Sequence, residues 1–510
     1  MPDLKDSLLL GSLLSFILSF AFLAKNNSLS SLFLFVSGIL VYSYGALLDD
    51  FLNVWDERYH ALVAKNMIDH PFKPMLYADP VLDQEYSGWF KGHVWLHKQP
   101  LFMWQMALSM KLFGANLYAM RLPGVIMSSL TVVALFRSGS LLFNRKLGFI
   151  AATLMLSSVY WLDLVSGRGQ TDQNDVAFIA YISLSCWAFI EYYTSGKKSW
   201  ILWIGVFSGA AILCKWLVGL LVYAVWGLYS LAVGKARYRE WKNMALSLCI
   251  TIAVFLPWQI YTSQQFPKEF EEEQAHNLEH LFKPLDHNHN TTVFYHYDQI
   301  SNNLNIIHPL ILIVGLLLFF FTRKNRTLNR ALAGAYVLQF LFFSLALSKM
   351  PSFTLAGWFV AILAIAYGCY CLLQFVCMLP VLNKYRNLGV GLVALLLILT
   401  RFSVSDIEKH HEITEDFGHA KAMTHNKKLL SNLKLEKDFV LFNVGGLHIV
   451  DAMFYTGVPV YNNYPGPDQV VELKLKNRKI AVLEGKEELP AYILNDSEIK
   501  IIKGFTYVNE

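Results

Sequence analysis

Cysteine is scarce in this chain and stands where it builds nothing. All six (Cys186, Cys214, Cys249, Cys369, Cys371 and Cys377) fall in or beside long apolar runs. The polar segments therefore carry neither a disulfide framework nor a zinc spacing. Charge is thin as well: 16% of the 510 residues are charged, against 55% hydrophobic. A soluble chain of this length would divide into several domains with charged surfaces, and that class is excluded. Also missing are an internal repeat, a low-complexity linker and the glycine spacing of a dinucleotide or P-loop motif. Gly445-Gly446 reads as a tight turn.

What is present is a succession of apolar runs long enough to cross a bilayer as helices. Runs at 8–24, 31–49, 121–142, 147–164, 176–193, 199–213, 216–233, 243–261, 308–321, 331–347, 354–379 and 388–402 predict a polytopic α-helical membrane protein of about twelve spans. The run at 101–113 carries Lys111 and reads as an interfacial amphipathic helix. Residues 8–24 follow Lys5, but Asp3 and Asp6 flank it, which predicts an uncleaved span rather than a signal peptide.

The charges sort by side. One set of short loops holds Lys25, Arg145-Lys146, Lys197-Lys198, then Lys235 through Lys242, Arg323 through Arg330, and Lys384 with Arg386; Glu240 is the single acid there. The opposite loops hold Asp49, Asp50, Asp56, Glu57, Asp79, Asp83, Glu85, Asp172, Asp175 and Glu269 with Glu271 to Glu273. The basic side is cytoplasmic. The net charge of +5 is thus topogenic and points to no nucleic acid. The acidic side and the tail face outward, which predicts the cytoplasmic (inner) membrane with a site open to the periplasm or exterior.

Four regions follow: 1–49 as N-terminal spans, 50–120 as a first outer loop, 121–404 as a membrane core with an outer loop at 262–307, and 405–510 as a soluble tail. The tail reads as a helix at 417–433, a strand at 439–444, a helix reaching about 455, and further strands at 458–461, 480–483 and 499–502. This alternation predicts a small α/β domain.

Chemistry gathers at the outer mouth. Asp56-Glu57 stands just past an apolar run, and carboxylates at a bilayer edge are functional candidates by default. Lys98, Lys215 and Lys349 sit at outer helix ends, against the charge bias, with Arg168, Asp172 and Asp175 nearby in sequence. Singly, each lysine reads equally well as a snorkelling surface group. Together they suggest a cationic site for an anionic lipid headgroup. Glycosyl transfer from a lipid phosphate needs one base for the acceptor and cations for the departing phosphate; it needs no second working carboxylate. His276, His280, His287 and His289 lack a convincing third metal ligand and read as loop surface.

The ordered set of motifs resembles the GT-C membrane glycosyltransferases, in particular the dolichyl-phosphate-mannose protein mannosyltransferase and lipid A aminoarabinose transferase-like family. Asp56-Glu57-Arg58-Tyr59-His60-Ala61 is similar to its first outer-loop motif, and His97-Lys98-Gln99-Pro100-Leu101 to its Lys-Pro-Pro-Leu stretch. Thr171-Asp172, Cys214-Lys215, Pro257-Trp258, His276-Asn277, His289, Tyr295 and Lys349-Met350-Pro351 follow in family order. Gln99 and Phe353 depart from it, standing where the family has proline and tyrosine.

The resemblance implies Asp56 as catalytic base and Glu57 as its orienting partner. It places Lys98, Lys215, Lys349 and Arg58 on the donor phosphate, and Tyr59, Asp172, Arg168, Asn277 and His289 on substrate. It implies a polyprenyl-phosphate-linked sugar donor, a lipid, glycan or protein acceptor, and an inverting displacement. No cofactor is required, and a divalent ion beside Asp56 and Glu57 is compatible with it. The rival from another class is a transporter or flippase of a lipid-linked sugar; polar groups at one mouth and the lack of a repeat weigh against it.

Overall fold

A computed structural model of the chain describes residues 3–54, 56–83, 92–169, 172–234, 237–282, 292–378, 385–409, 419–445, 448–485 and 488–504. The chain forms two compact units. The first comprises Met1–Leu48, Lys98–Phe102 and Arg121–Ile407; the second comprises Asp49–His97, Met103–Met120 and Glu408–Glu510.

The first unit is a helical bundle. Among the described residues nine helical stretches have the length and apolarity to cross a membrane, or ten if one bent pair is a single span. Length and apolarity alone give fewer than the expected twelve, for three local reasons. Leu310–Phe321 is short, at 12 residues. The run at 147–164 breaks into Arg145–Leu156 and Val159–Ser166, bent by 51°. The runs at 199–213 and 216–233 form one helical stretch, Ser199–Ala232. That stretch is not straight: Ser208 Oγ donates to the Gly219 carbonyl at 2.8 Å, which requires the chain to fold back after Lys215.

Packing in the bundle uses small and hydroxyl residues, as expected where no hydrophobic effect draws helices together in lipid. Leu4–Phe22 and Asn27–Ala46 pair through reciprocal serine bonds, Ser12 with Ser37 and Ser19 with Ser30, each hydroxyl donating to the partner's carbonyl at 2.9–3.1 Å. Gly205 and Gly209 let Ser199–Lys215 close on Arg237–Gln265: a Cβ on either would lie 2.6 Å from the facing helix. Gln173–Ser195 runs through the middle, with 83% of its apolar window buried. Arg401 ties helix ends together, donating from its buried guanidinium to the carbonyls of Leu154 and Leu304 and to Ser157 Oγ at 3.0–3.1 Å.

The second unit is built on a parallel three-stranded sheet, β1 (Phe439–Phe442), β2 (Lys479–Leu483) and β3 (Lys500–Ile502), in that order. Leu441 bridges Val460 on the other edge of β1, so the strand expected at 458–461 contributes a single bridge. Helices His419–Asn432 and His448–Thr456 match the sequence reading; Pro467–Leu475 is an addition to it. Val440, Phe442, Ile480, Val482, Leu473, Ile493 and Ile499 form the core, and Val81 from the first outer loop completes it. Tyr77 Oη donates to the Val460 carbonyl at 3.0 Å, and the amides of Val81 and Leu82 donate to Tyr461 Oη. Loop and tail thus share one core.

Candidate active site

In the second unit the acidic pair opens the helix Asp56–Asn66. Glu57 is buried, and its Oε2 accepts the Asn53 amide at 2.7 Å; Asn53 Nδ2 in turn donates to Asp49 at 3.2 Å. Glu57 therefore ties the chain before the helix to the helix's first turn. Asp56 is half-buried and keeps access to solvent. A carboxylate in the first turn also meets the positive end of the helix dipole. Arg58, 1% exposed, pairs with the equally buried Asp451 at 3.4 Å, and His448 Nδ1 lies 3.6 Å from the same carboxylate. Arg58 thus fastens the acidic helix to the tail helix His448–Thr456. Tyr59 is buried against Trp95, ring centroids 6.2 Å apart, and its hydroxyl is pushed up to about 12 by burial.

In the first unit the three lysines have different surroundings. Lys215 ends the helix Ser199–Lys215, and the next residue, Trp216, has φ 68° and ψ −158°, a region taken almost only by glycine and costing about 1–3 kcal/mol. The turn delivers Lys215 Nζ to Asp175 Oδ1 at 2.6 Å and to Ser352 Oγ at 3.1 Å. Asp175 is fully buried, so this ammonium is already compensated. Lys349 is 5% exposed and has no carboxylate partner among the described residues; its Nζ donates to the Ala346 carbonyl at 2.8 Å. Asp172 caps the helix Gln173–Ser195, its Oδ1 accepting the Asn174 amide at 3.1 Å. Arg168 Nη1 donates to the Ile407 carbonyl at 2.6 Å.

Lys98 lies in the field of Glu273, a buried acid on the helix Pro267–Phe282. Burial pushes the Glu273 carboxyl up to about 7, partly offset by His276, Lys98 and the Asn277 amide, which donates to Glu273 Oε1 at 2.9 Å. A carboxyl whose folded pKa lies above its unfolded value stabilises the fold below the unfolded pKa and loses that contribution as pH rises through the folded one. Thermal stability of wild type relative to Glu273→Gln should therefore fall from about pH 4.5 to about 7 and then level off. Unfolding midpoints of both proteins across that range check it, and a flat difference would remove Glu273 as a neutral-pH titrating group.

The candidates thus divide. Asp56, Glu57, Arg58 and Tyr59 share the second unit, while Lys98, Lys215, Lys349, Asp172, Arg168 and Asn277 belong to the first. His289 lies outside the described residues, as does His287. Among the described residues no group of three or more His, Cys, Asp or Glu could hold a metal ion, so the divalent-ion reading gains no ligand set from them. Sequence reasoning missed His296, whose ring is 1% exposed between Tyr295 and Phe340. It also missed that Asp175 is a partner of Lys215. Neither has a local signal, because each depends on a contact from a distant element.

Residues 97–261 match a family profile described as dolichyl-phosphate-mannose-protein mannosyltransferase. An undecaprenyl phosphate-alpha-4-amino-4-deoxy-L-arabinose arabinosyl transferase 2 of Pseudomonas fluorescens is 24% identical over 275 residues, 49% of this chain and 46% of that protein. The chain therefore spans about half the length of this curated relative. The crystal structure of ArnT from Cupriavidus metallidurans superposes with a TM-score of 0.63 at 17% identity, covering 88% of each chain. The same protein bound to undecaprenyl phosphate superposes at 0.61, with 17% identity and 89% and 86% coverage. At that identity the likeness establishes a common fold.

Proposed function

We infer that the chain belongs to the GT-C membrane glycosyltransferases, and we propose that it transfers a sugar from a polyprenyl phosphate to a lipid, glycan or protein acceptor on the outer face of the inner membrane. The observation that carries this reading is Lys349, a buried ammonium with no carboxylate partner among the described residues. A buried cation left unpaired is costly, so such a group calls for an anion from outside the chain. The phosphate of a lipid-linked sugar supplies that anion. The similar proteins named for undecaprenyl phosphate, or solved with it, point to the same ligand.

In the proposed step Asp56 takes the acceptor hydroxyl's proton. The oxygen bonds to the anomeric carbon from the face opposite the phosphate, and the carbon–oxygen bond to phosphate breaks. Its electron pair stays on the phosphate oxygen, so configuration inverts. Lys349 holds the phosphate before and after cleavage, with Lys98 contributing positive potential. Lys215, already paired with Asp175, acts mainly by shaping the turn that carries it. Glu57 and Arg58 hold the Asp56 helix, and no cofactor enters. The sugar is a pentose or a hexose; the name of the similar arabinosyl transferases makes 4-amino-4-deoxy-L-arabinose the first donor to try.

The test is transfer by purified protein in lipid, using radiolabelled polyprenyl-phosphate pentoses and hexoses. Acceptor-dependent consumption of one donor is expected. Lys349→Met should raise the KM for that donor roughly 10- to 100-fold, the worth of a hydrogen bond between charged groups. Donor that crosses the bilayer without being consumed would sink the reading in favour of a flippase.

A further inference from the structure

Lys349, which has no carboxylate partner among the described residues, has neighbours with unmet polar atoms. Among the described residues His296 is 1% exposed and neither ring nitrogen makes a hydrogen bond of full geometry, with the Phe343 backbone beside the ring; Ser344 is 5% exposed and its Oγ has no hydrogen-bond partner. Buried polar atoms are nearly always satisfied, so such a group calls for an explanation. The elements carrying these residues belong to the first unit and pack together. The His296 ring meets Phe340 with centroids 6.3 Å apart, and Ser344 lies one turn beyond Phe340 on the same face of Arg326–Leu345. That helix ends four residues before Lys349. Asn303 Nδ2 donates to the Pro351 carbonyl at 3.0 Å, and Gln339 Nε2 to the Phe353 carbonyl at 2.9 Å. Both neighbouring helices are thereby pinned to the turn that follows Lys349.

We propose that His296 and Ser344 join Lys349 in one anion receptor, and that His296 donates a neutral ring N–H to the phosphate oxygen released when the sugar departs. This rests on the reading of Lys349 as the phosphate contact. The charge bookkeeping of the reaction supports the assignment. The donor is a phosphodiester with one negative charge; the departing monoester develops a second on the oxygen that loses the sugar. Lys349 meets the first charge. Uncharged donors, an imidazole and a hydroxyl, then stabilise the second without overbinding the donor, which is the condition for speeding the step. Burial and the Lys349 ammonium hold the imidazole down to about 4, so it keeps a neutral N–H at working pH.

The test uses the full chain in lipid nanodiscs and two probes, undecaprenyl phosphate and its methyl ester, which keeps the phosphate a monoanion. His296→Phe should weaken the monophosphate about 10- to 100-fold and the ester only a few-fold, while His296→Gln, which retains an N–H donor, restores most of the affinity. Wild-type affinity in His296→Phe would overturn the assignment, as would equal losses in Phe and Gln variants or equal effects on both probes. Lys349→Met separates the two levels. If it binds normally, the Lys349 reading itself fails; if it loses binding while His296→Phe does not, only the present inference fails. Displacement of the lipid by millimolar inorganic phosphate would mark a free-anion site and overturn the leaving-group role, whereas retention supports it.

Discussion

Asp56→Asn is expected to lower turnover about 10²- to 10⁴-fold, the usual worth of a general base, while binding of undecaprenyl phosphate stays within about three-fold of wild type. The amide matches the carboxylate in shape and cannot accept the acceptor's proton. Its neighbour offers no substitute, because Glu57 is buried with its Oε2 on the Asn53 amide. The loss should therefore fall on kcat, with the donor KM little changed. Parallel transfer and binding assays on wild type and variant decide it. Undiminished transfer would remove Asp56 from the chemistry, and a matching collapse of lipid binding would recast it as a binding group.

Arg58→Met should destabilise the second unit by about 3–5 kcal/mol, because it removes the guanidinium from an almost fully buried carboxylate, Asp451, beside which His448 remains. The consequence reaches the chemistry, since the Arg58–Asp451 pair fastens the Asp56 helix to the tail. Transfer should fall with stability and not independently of it. Arg58→Met combined with Asp451→Leu should recover most of the lost stability, as replacing a whole buried pair by apolar groups is often neutral. Unfolding midpoints of the two single variants and the double variant measure this. A double variant no better than the worse single one would show that the pair is not the coupling element.

Most of the second unit was legible because its signals are local. The strand runs Phe439–Phe442 and Lys479–Leu483 are apolar on both faces and bounded by turns, which is how a buried parallel strand reads. The segment at 458–461 reads equally well as a strand yet makes one bridge, since pairing depends on the neighbour and not on propensity. In the membrane unit the apolar runs were visible, but the span count was not. Length tests cannot see the bend between Arg145–Leu156 and Val159–Ser166, nor the fold-back after Lys215.

The candidate site divides along the same line. Asp56, Glu57 and the lysines stood out because charge in an apolar chain is rare and expensive. Their separate tasks did not, because a lysine's role depends on what lies within about 4 Å of its nitrogen. Lys215 and Lys349 look alike in the chain, and folding brings Asp175 to the first and the Ala346 carbonyl to the second. Arg58 meets Asp451 from nearly four hundred residues away, a pairing that no local pattern announces. The sequence by itself determined a membrane chain with sided charge, an α/β tail and a set of acids and bases beside its apolar runs, because composition and periodicity act over a few residues. Tertiary structure alone decided which charges are spent on each other, because pairing and desolvation are set by contacts between segments distant in the chain.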